Sequence, residues 1–204
     1  IGSKIAHTFA AAGARVVVAG RNAEKLDALA TQIRSDGHTC LPLTCDVTDA
    51  DQVEALMAGT EAEFGRIDVM INNAGGAMFV KPPEKLRPEQ WRAAIDLNLS
   101  SVFYCSAAAG QRMIEQGGGR IINIASQAAK SGFPHASSYV SSKHGLIGLT
   151  RVSAIELGEH GITVNAVCPN HITTGLGSWQ NSYFSDLLGQ SEEAYLAAMR
   201  DRIP

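Results

Sequence analysis

The densest chemistry in this sequence lies in Tyr139-Val140-Ser141-Ser142-Lys143, where a phenol and an ammonium stand four residues apart. On an α-helix that spacing puts both on one face. A phenol with its ordinary pKa near 10 trades protons poorly at neutral pH. A fixed cation beside it favours the phenolate and makes the tyrosine a usable acid–base group. Alone, such a pair reads as a solvated helix face. Its context says more: Ser126 lies thirteen residues earlier, Asn72-Asn73-Ala74-Gly75 follows an apolar run, and Asn98 sits in Leu97-Asn98-Leu99-Ser100. These residues converge on one crevice if the fold brings the ends of their strands together.

The hydrophobic pattern predicts such a fold. Short apolar runs at 15–20, 39–44, 67–72, 120–125 and 162–167 read as strands, near-continuous in the way of parallel strands covered on both faces. Helical patterns alternate with them: one capped by Asn22, one from about Asp49 to Phe64, one after Pro88 broken near Asp96 to Asn98, and a long one from Ser138 to about Glu159. Right-handed crossovers then give an α/β, Rossmann-type, doubly wound parallel sheet in three αβα layers, with a ligand crevice at the carboxyl ends of the strands. Ser126 and Asn72 to Gly75 fall at two of those ends.

On these residues the chain resembles the short-chain dehydrogenase/reductase family. Asn72-Asn73-Ala74-Gly75, Ser126, Tyr139 with Lys143, Asp46-Val47 and the Pro169 loop stand in that family's order, and the match runs over essentially all 204 residues. The resemblance implies an NAD(P)-dependent oxidoreductase that interconverts an alcohol and a ketone or aldehyde by hydride transfer. It implies a catalytic set of Asn98, Ser126, Tyr139 and Lys143. Tyr139 is the general acid–base and Ser126 holds the substrate oxygen. Lys143 lowers the pKa of Tyr139 and grips the nicotinamide ribose, while Asn98 holds a water that links Lys143 to solvent. A catalytically silent NAD(P)-binding or structural fragment is the alternative; Lys143 in place of arginine argues against a lyase.

The same resemblance implies the coenzyme contacts. Ile1 and Gly2 correspond to the end of a glycine-rich phosphate turn, where free backbone N–H groups favour anions. Asp46 and Val47 resemble adenine contacts, Asn73, Ala74 and Gly75 approach the adenine ribose, and Pro169, Ile172 and Thr174 hold the nicotinamide together with Tyr139 and Lys143. Gly20 stands where an acid would select NAD(H), and Arg21 follows it. A guanidinium forks onto a phosphate, so NADP(H) is preferred over NAD(H). Ser126, Gln127, His135, Tyr139 and Asn170 are the candidate substrate contacts, and the aromatic stretch 175–190 corresponds to a lid over a medium-sized, moderately polar carbonyl compound. The family's first and last strands have no counterpart in the sequence. Residues 1–204 are therefore expected to be a single NAD(P)-binding domain within a longer chain, its two inner strand edges left unpaired.

Composition narrows the field. With 17 Lys+Arg against 20 Asp+Glu, the net charge of −3 offers no basic field for nucleic acid or acidic membranes. No apolar run reaches the roughly 18 residues of a membrane span. Cys40, Cys45, Cys105 and Cys168 form no C-x-x-C pair and have no histidine at ligand spacing, so no metal site is expected. They read as reduced, buried thiols in a cytoplasmic protein. The resemblance implies a homotetramer or homodimer through the helices near 98–116 and 138–159.

Overall fold

The structure, a computed structural model, describes residues 1–170, 172 and 176–201. It divides into two compact units, Ile1–Cys168 and Pro169–Pro204.

The first unit alternates helix and strand as the apolar pattern predicts. Its order is α1 (Gly2–Ala11), β1 (Val16–Gly20), α2 (Ala23–Ser35), β2 (Cys40–Thr44), α3 (Ala50–Phe64), β3 (Val69–Asn72), α4 (Pro88–Ile95), α5 (Ser101–Gln116), β4 (Gly119–Ile124), α6 (Ser137–Gly158) and β5 (Ile162–Val167). Side-chain oxygens start two of the helices. Asn22 accepts from the Lys25 amide at 2.9 Å, and Asp49 accepts from the amides of Asp51 and Gln52. At the far end of α5 the backbone must reverse within two residues to enter β4, and Gly117 does so at φ +82.

All strand pairs are parallel, but they form two sheets rather than one. β1 pairs with β2, while β3, β4 and β5 form a second sheet with β4 in the middle. The free edge of β1 and the free edge of β3 line a common cavity of about 620 Å³, walled by Val16 to Ala19 on one side and Val69 to Asn72 on the other. Phe9 of α1 and Val102 of α5 also line it.

Two local readings change. Strand β3 begins at Val69 rather than Ile67, because the Gln116 side chain takes the neighbouring strand's place at Ile67. Its Oε1 accepts from Ile67 N at 2.7 Å and its Nε2 donates to Ile67 O at 2.8 Å. The expected break at Asp96 to Asn98 is no break: the chain stays helical from α4 into α5 through a π-helical turn, Asp96–Ser100. One extra residue widens the helix there instead of ending it.

The core of the first unit lies on both sides of these strands. Ile121, Ile162, Met57 and Met113 pack together with Cys45 and Cys105, and Ile33 packs with Ala30 and Val18. Each fully buried Ile, Met or Leu side chain contributes about 1.5–3 kcal/mol. Leu146 of α6 is buried against Val102, Ala125 and Ala129, which seats the helix bearing Tyr139 on the end of β4. In the second unit, α7 (Leu176–Leu187) and α8 (Glu192–Arg200, capped by Ser191) follow each other. The expected lid is thus helical from Leu176 on, and its aromatic Phe184 stacks on Tyr195 at 6.5 Å between centroids.

Candidate active site

Strand β4 ends where α6 begins to cross it, and the catalytic candidates meet there. Tyr139 is buried, 7% exposed, and its side chain is hydrogen-bonded to Ser126. Ser126 is held in turn: its Oγ accepts the Ala128 amide at 3.1 Å and starts a short 3-10 turn, Gln127–Ala129. One helical turn beyond Tyr139, the Lys143 ammonium donates to the Ile124 carbonyl at 2.9 Å and lies 5.8 Å from the centre of the Tyr139 ring.

The electrostatics of this corner differ from the expectation. Burial holds the Tyr139 phenol above its ordinary value, and the Ser126 hydrogen bond only partly offsets this. The cation does not set the direction; burial acts on Lys143 as well and brings it down to about 8, with Cys168 acting in the opposite sense. The phenol thus holds its proton, beside a lysine whose own proton burial loosens.

Asn98 is completely buried inside the π-helical turn. Its Oδ1 accepts from Gly76 N at 2.9 Å, while its Nδ2 donates to Gly76 O at 3.0 Å and to Ala94 O at 2.9 Å. The side chain expected to hold a water thus clasps the loop that follows β3. Gly75 explains the residue type at its position: a Cβ there would lie 2.8 Å from Asn98 Oδ1 and 3.5 Å from Lys143 Nζ. Asn98, Gly75 and Lys143 therefore meet at one point.

The coenzyme candidates lie along the same edge. Gly2, at the start of α1, abuts Asn73, with room for no Cβ: one would stand 2.6 Å from Asn73 Nδ2. Ala74 also lies in the loop after β3 and lines the cavity with Asn73 and Gly2. Ile1 precedes the first turn of α1, whose amides have no side-chain cap. Because β1 and β2 pair in parallel, Arg21 and Asp46 emerge side by side. The Asp46 carboxylate accepts from Thr48 N at 3.0 Å and Thr48 Oγ1 at 2.8 Å. These bonds, with the Arg21 charge, hold it below the ordinary carboxylate range. Val47 packs against the core under β3 and β4. These residues fit a dinucleotide: an uncapped helix start, glycines that leave room for close approach, and a cation and an anchored carboxylate at two strand ends.

Of the substrate candidates, Gln127 is exposed and His135 half-buried, four residues before Tyr139. His135 has φ +64, and its carbonyl accepts the Lys81 amide at 2.8 Å; Phe79, in the loop after β3, has φ +55. Positive φ at residues other than glycine costs about 1–3 kcal/mol. Sequence reading singled out His135 but not Phe79, which carries no motif. Pro169, Asn170 and Ile172 belong to the second unit. Thr174 and His171 lie outside the described residues.

Of a chain of buried polar groups, Ser106, Asn72, Asn123 and Thr150, only Asn72 belongs to a motif of the sequence. The signal was an asparagine late in each of two otherwise apolar strand runs.

All four cysteines are free; Cys40, Cys45 and Cys105 are buried, and burial raises their thiols, Cys105 to about 12. Among the described residues no group of three His, Cys, Asp or Glu side chains could hold a metal ion, and no helix is long and apolar enough to cross a membrane.

A parallel α/β unit with a serine–tyrosine–lysine corner at the end of its middle strand, and a dinucleotide-type edge beside it, defines a nucleotide-dependent oxidoreductase class. Comparison with known proteins agrees. The short chain dehydrogenase family model matches residues 1–182. The chain is 41% identical over 177 residues to a D-threitol dehydrogenase of Mycolicibacterium smegmatis, covering 87% of this chain and 68% of that protein. It is 39% identical over 180 residues to a 3-oxoacyl-(acyl-carrier-protein) reductase of Synechocystis, covering 86% and 71%. Among solved structures it superimposes on an actinorhodin polyketide ketoreductase with NADPH at a TM-score of 0.92 and 35% identity, covering 99% of this chain and 78% of that one. A 7α-hydroxysteroid dehydrogenase complexed with NADH gives a TM-score of 0.80 at 36% identity, covering 83% and 66%. The chain belongs to the short-chain dehydrogenase/reductase family of NAD(P)-binding oxidoreductases.

Proposed function

We propose that this chain interconverts a secondary alcohol or primary alcohol with its ketone or aldehyde, with Tyr139 as general acid–base. The observation that carries the reading is the buried Tyr139 hydroxyl, bonded to Ser126, with the Lys143 ammonium one turn away. A bound NADP(H) supplies the hydride or takes it up. The chain's own residues orient the oxygen and manage its proton. Ser126 donates to the substrate oxygen and holds it against Tyr139. The phenol, kept protonated by burial, gives its proton to that oxygen in the reducing direction. Lys143, with its pKa near 8, is about ten to one protonated at pH 7 and steadies the phenolate that is left. Asn98 fixes the loop carrying Gly75 against Lys143, and a water held beside it would link Lys143 to solvent.

Coenzyme would be held by Ile1 and Gly2 at its phosphates, by Asp46, Val47, Asn73, Ala74 and Gly75 along its adenosine half, and by Tyr139, Lys143, Pro169, Ile172 and Thr174 at its nicotinamide half. Arg21, exposed beside Asp46 and following Gly20 rather than an acid, supports NADP(H) over NAD(H). The NADPH bound by the ketoreductase agrees with this choice, while the steroid dehydrogenase carries NADH. The substrate is a small carbonyl compound touched by Ser126, Gln127, His135 and Asn170. Threitol, 3-oxoacyl and hydroxysteroid in the relatives' names have in common a hydroxyl- or oxo-bearing carbon.

The cavity between β1 and β3 supports reading residues 1–204 as part of one NAD(P)-binding domain whose further strand pairs with both edges. Exposed apolar residues on touching helices, Phe103 on α5 and Val152 and Ile155 on α6, support a homodimer or homotetramer. Buried free thiols suit a reducing compartment such as the cytoplasm.

The test is a screen of NADPH and NADH against a panel of ketones and aldehydes. Tyr139→Phe should lose turnover yet still bind coenzyme. A phenylalanine variant that keeps its rate would remove the acid–base role.

A further inference from the structure

The β4 end grips α6 at more points than the reaction uses. Ser126 meets Tyr139, Ile124 O accepts from Lys143, and Asn123 Nδ2 donates to Thr150 Oγ1 at 2.9 Å. Tyr139, Lys143 and Thr150 are spaced by four and seven residues, which keeps all three on one helix face. The third contact does not end at Thr150. The Thr150 hydroxyl donates to Leu146 O at 2.7 Å, closing on the turn just beyond Lys143. On the other side, Asn123 Oδ1 accepts from Asn72 Nδ2 at 2.9 Å, and the same Nδ2 donates to Ser106 Oγ at 3.0 Å. Ser106, Asn72, Asn123 and Thr150 are all less than a tenth exposed. Asn72 and Asn123 face each other in the β3–β4 register, and Asn72 runs directly into the Asn73-Ala74-Gly75 loop.

We propose that Thr150, acting through Asn123, is a positioning residue that holds the Lys143 turn of α6 at a fixed distance from the loop at Gly75. The polar grips at Tyr139 and Lys143 are neighbours, and the apolar seat of Leu146 beside them leaves α6 a small pivot about that end. A third anchor two turns further along stops the pivot. Its partner chain passes through Asn72, which leads directly into the coenzyme loop, before reaching Ser106, so the catalytic helix and that loop are set against one another by a single run of hydrogen bonds. Buried polar runs whose members are all paired rigidify what they connect. The burial of Lys143 gives the anchor something to oppose, since a buried ammonium gains by swinging toward water. The titratable groups that face Lys143 are Tyr139 on its own helix and Cys168 after β5, and the Ile124 carbonyl and the Gly75 loop clasped by Asn98 also reach it. This inference rests on the proposed reaction for its kinetic readout but not for its spectroscopic one.

The test compares wild type, Thr150→Val and Thr150→Ser in the full chain. Valine keeps the shape and drops the hydroxyl; serine keeps the hydroxyl. T150V is expected to lower kcat about tenfold or more with coenzyme KM changed less than about twofold, because a small misplacement of a reacting group is costly. With 13Cε-labelled lysine, assigned through the loss of one signal in Lys143→Met, the Lys143 midpoint in T150V should rise by about one pH unit or more, toward 10.5, as water reaches the ammonium. T150S should return both readouts to wild type. A merely structural threonine would lower the melting temperature and leave the Lys143 midpoint in place, and that result overturns the proposal, as does a serine variant that fails to rescue. If T150V does not fold, Thr150→Ala, which leaves space for a water, carries the same expectations. A wild-type chain that turns over no carbonyl compound defeats the proposed reaction, and the lysine titration then decides the positioning role by itself.

Discussion

Lys143→Met separates what stabilises this protein from what lets it work. In the folded chain the Lys143 ammonium ionises near 8 instead of 10.5 because it is buried. Below pH 8 the group is charged in both folded and unfolded states, and the burial cost is fully present: at about 1.4 kcal/mol per pH unit it amounts to about 3 kcal/mol. As pH rises from 8 toward 10.5 the folded state gives up its proton first, the unfolded state binds more protons, and stability increases. Between pH 7 and 9.5 this one group should add about 2 kcal/mol. Methionine removes the charge but leaves the Ile124 carbonyl without its donor, which costs about 1–2 kcal/mol. The variant should therefore be more stable than wild type by about 1–2 kcal/mol at pH 7, and that advantage should shrink by about 2 kcal/mol at pH 9.5. Cys40, Cys45 and Cys105, whose thiols burial holds above their ordinary values, destabilise the fold in the same window. The quantity to read is thus the difference between variant and wild type, in which they cancel. Urea unfolding at the two pH values supplies it, and carbonyl turnover by the same variant should be lost. A methionine variant less stable than wild type at pH 7, or a difference that ignores pH, would refute the burial argument.

Other changes test the coenzyme edge and the surface. Arg21→Asp should move the preference from NADPH toward NADH by about 10–100-fold in kcat/KM, the worth of one charge-assisted hydrogen bond of about 1.5–3 kcal/mol; an unchanged ratio would take Arg21 out of coenzyme choice. Gly75→Ala would bring a methyl within 2.8 Å of Asn98 Oδ1, so the Asn98–Gly76 clasp must open. Fluorescence titration should then show coenzyme binding weakened about tenfold or more, and wild-type affinity would mean that the loop yields without cost. Ile155→Glu places a charge at the most exposed large apolar side chain of α6. If this face forms the interface of the proposed homodimer or homotetramer, sedimentation velocity should show oligomers for the wild type and protomers for the variant, and oligomers undisturbed by the change would move the interface elsewhere.

Much of this fold was written locally. Runs such as Val16-Val17-Val18 and Ile121-Ile122 become strands because β-branched residues suit a pleated, doubly covered surface, and Asn22 and Asp49 start helices because their oxygens reach the free amides just beyond them. The spacing of Tyr139 and Lys143 by itself puts them on one helix face, and the ends of two strands put Ser126 and Gly75 nearby. Tertiary structure decided what depends on distance across the chain. Only packing could show that Asn98 widens a helix and clasps Gly76, or that Gln116 replaces a strand neighbour at Ile67, since each joins segments with no local bond between them. The direction of ionisation was likewise hidden: residue types predict that a lysine lowers a nearby phenol, but burial is a property of the assembled core, and it raises the phenol and lowers the lysine at the same time. Sequence determined which groups are present and which face of each element they occupy; the closing of the chain around them determined which protons they hold.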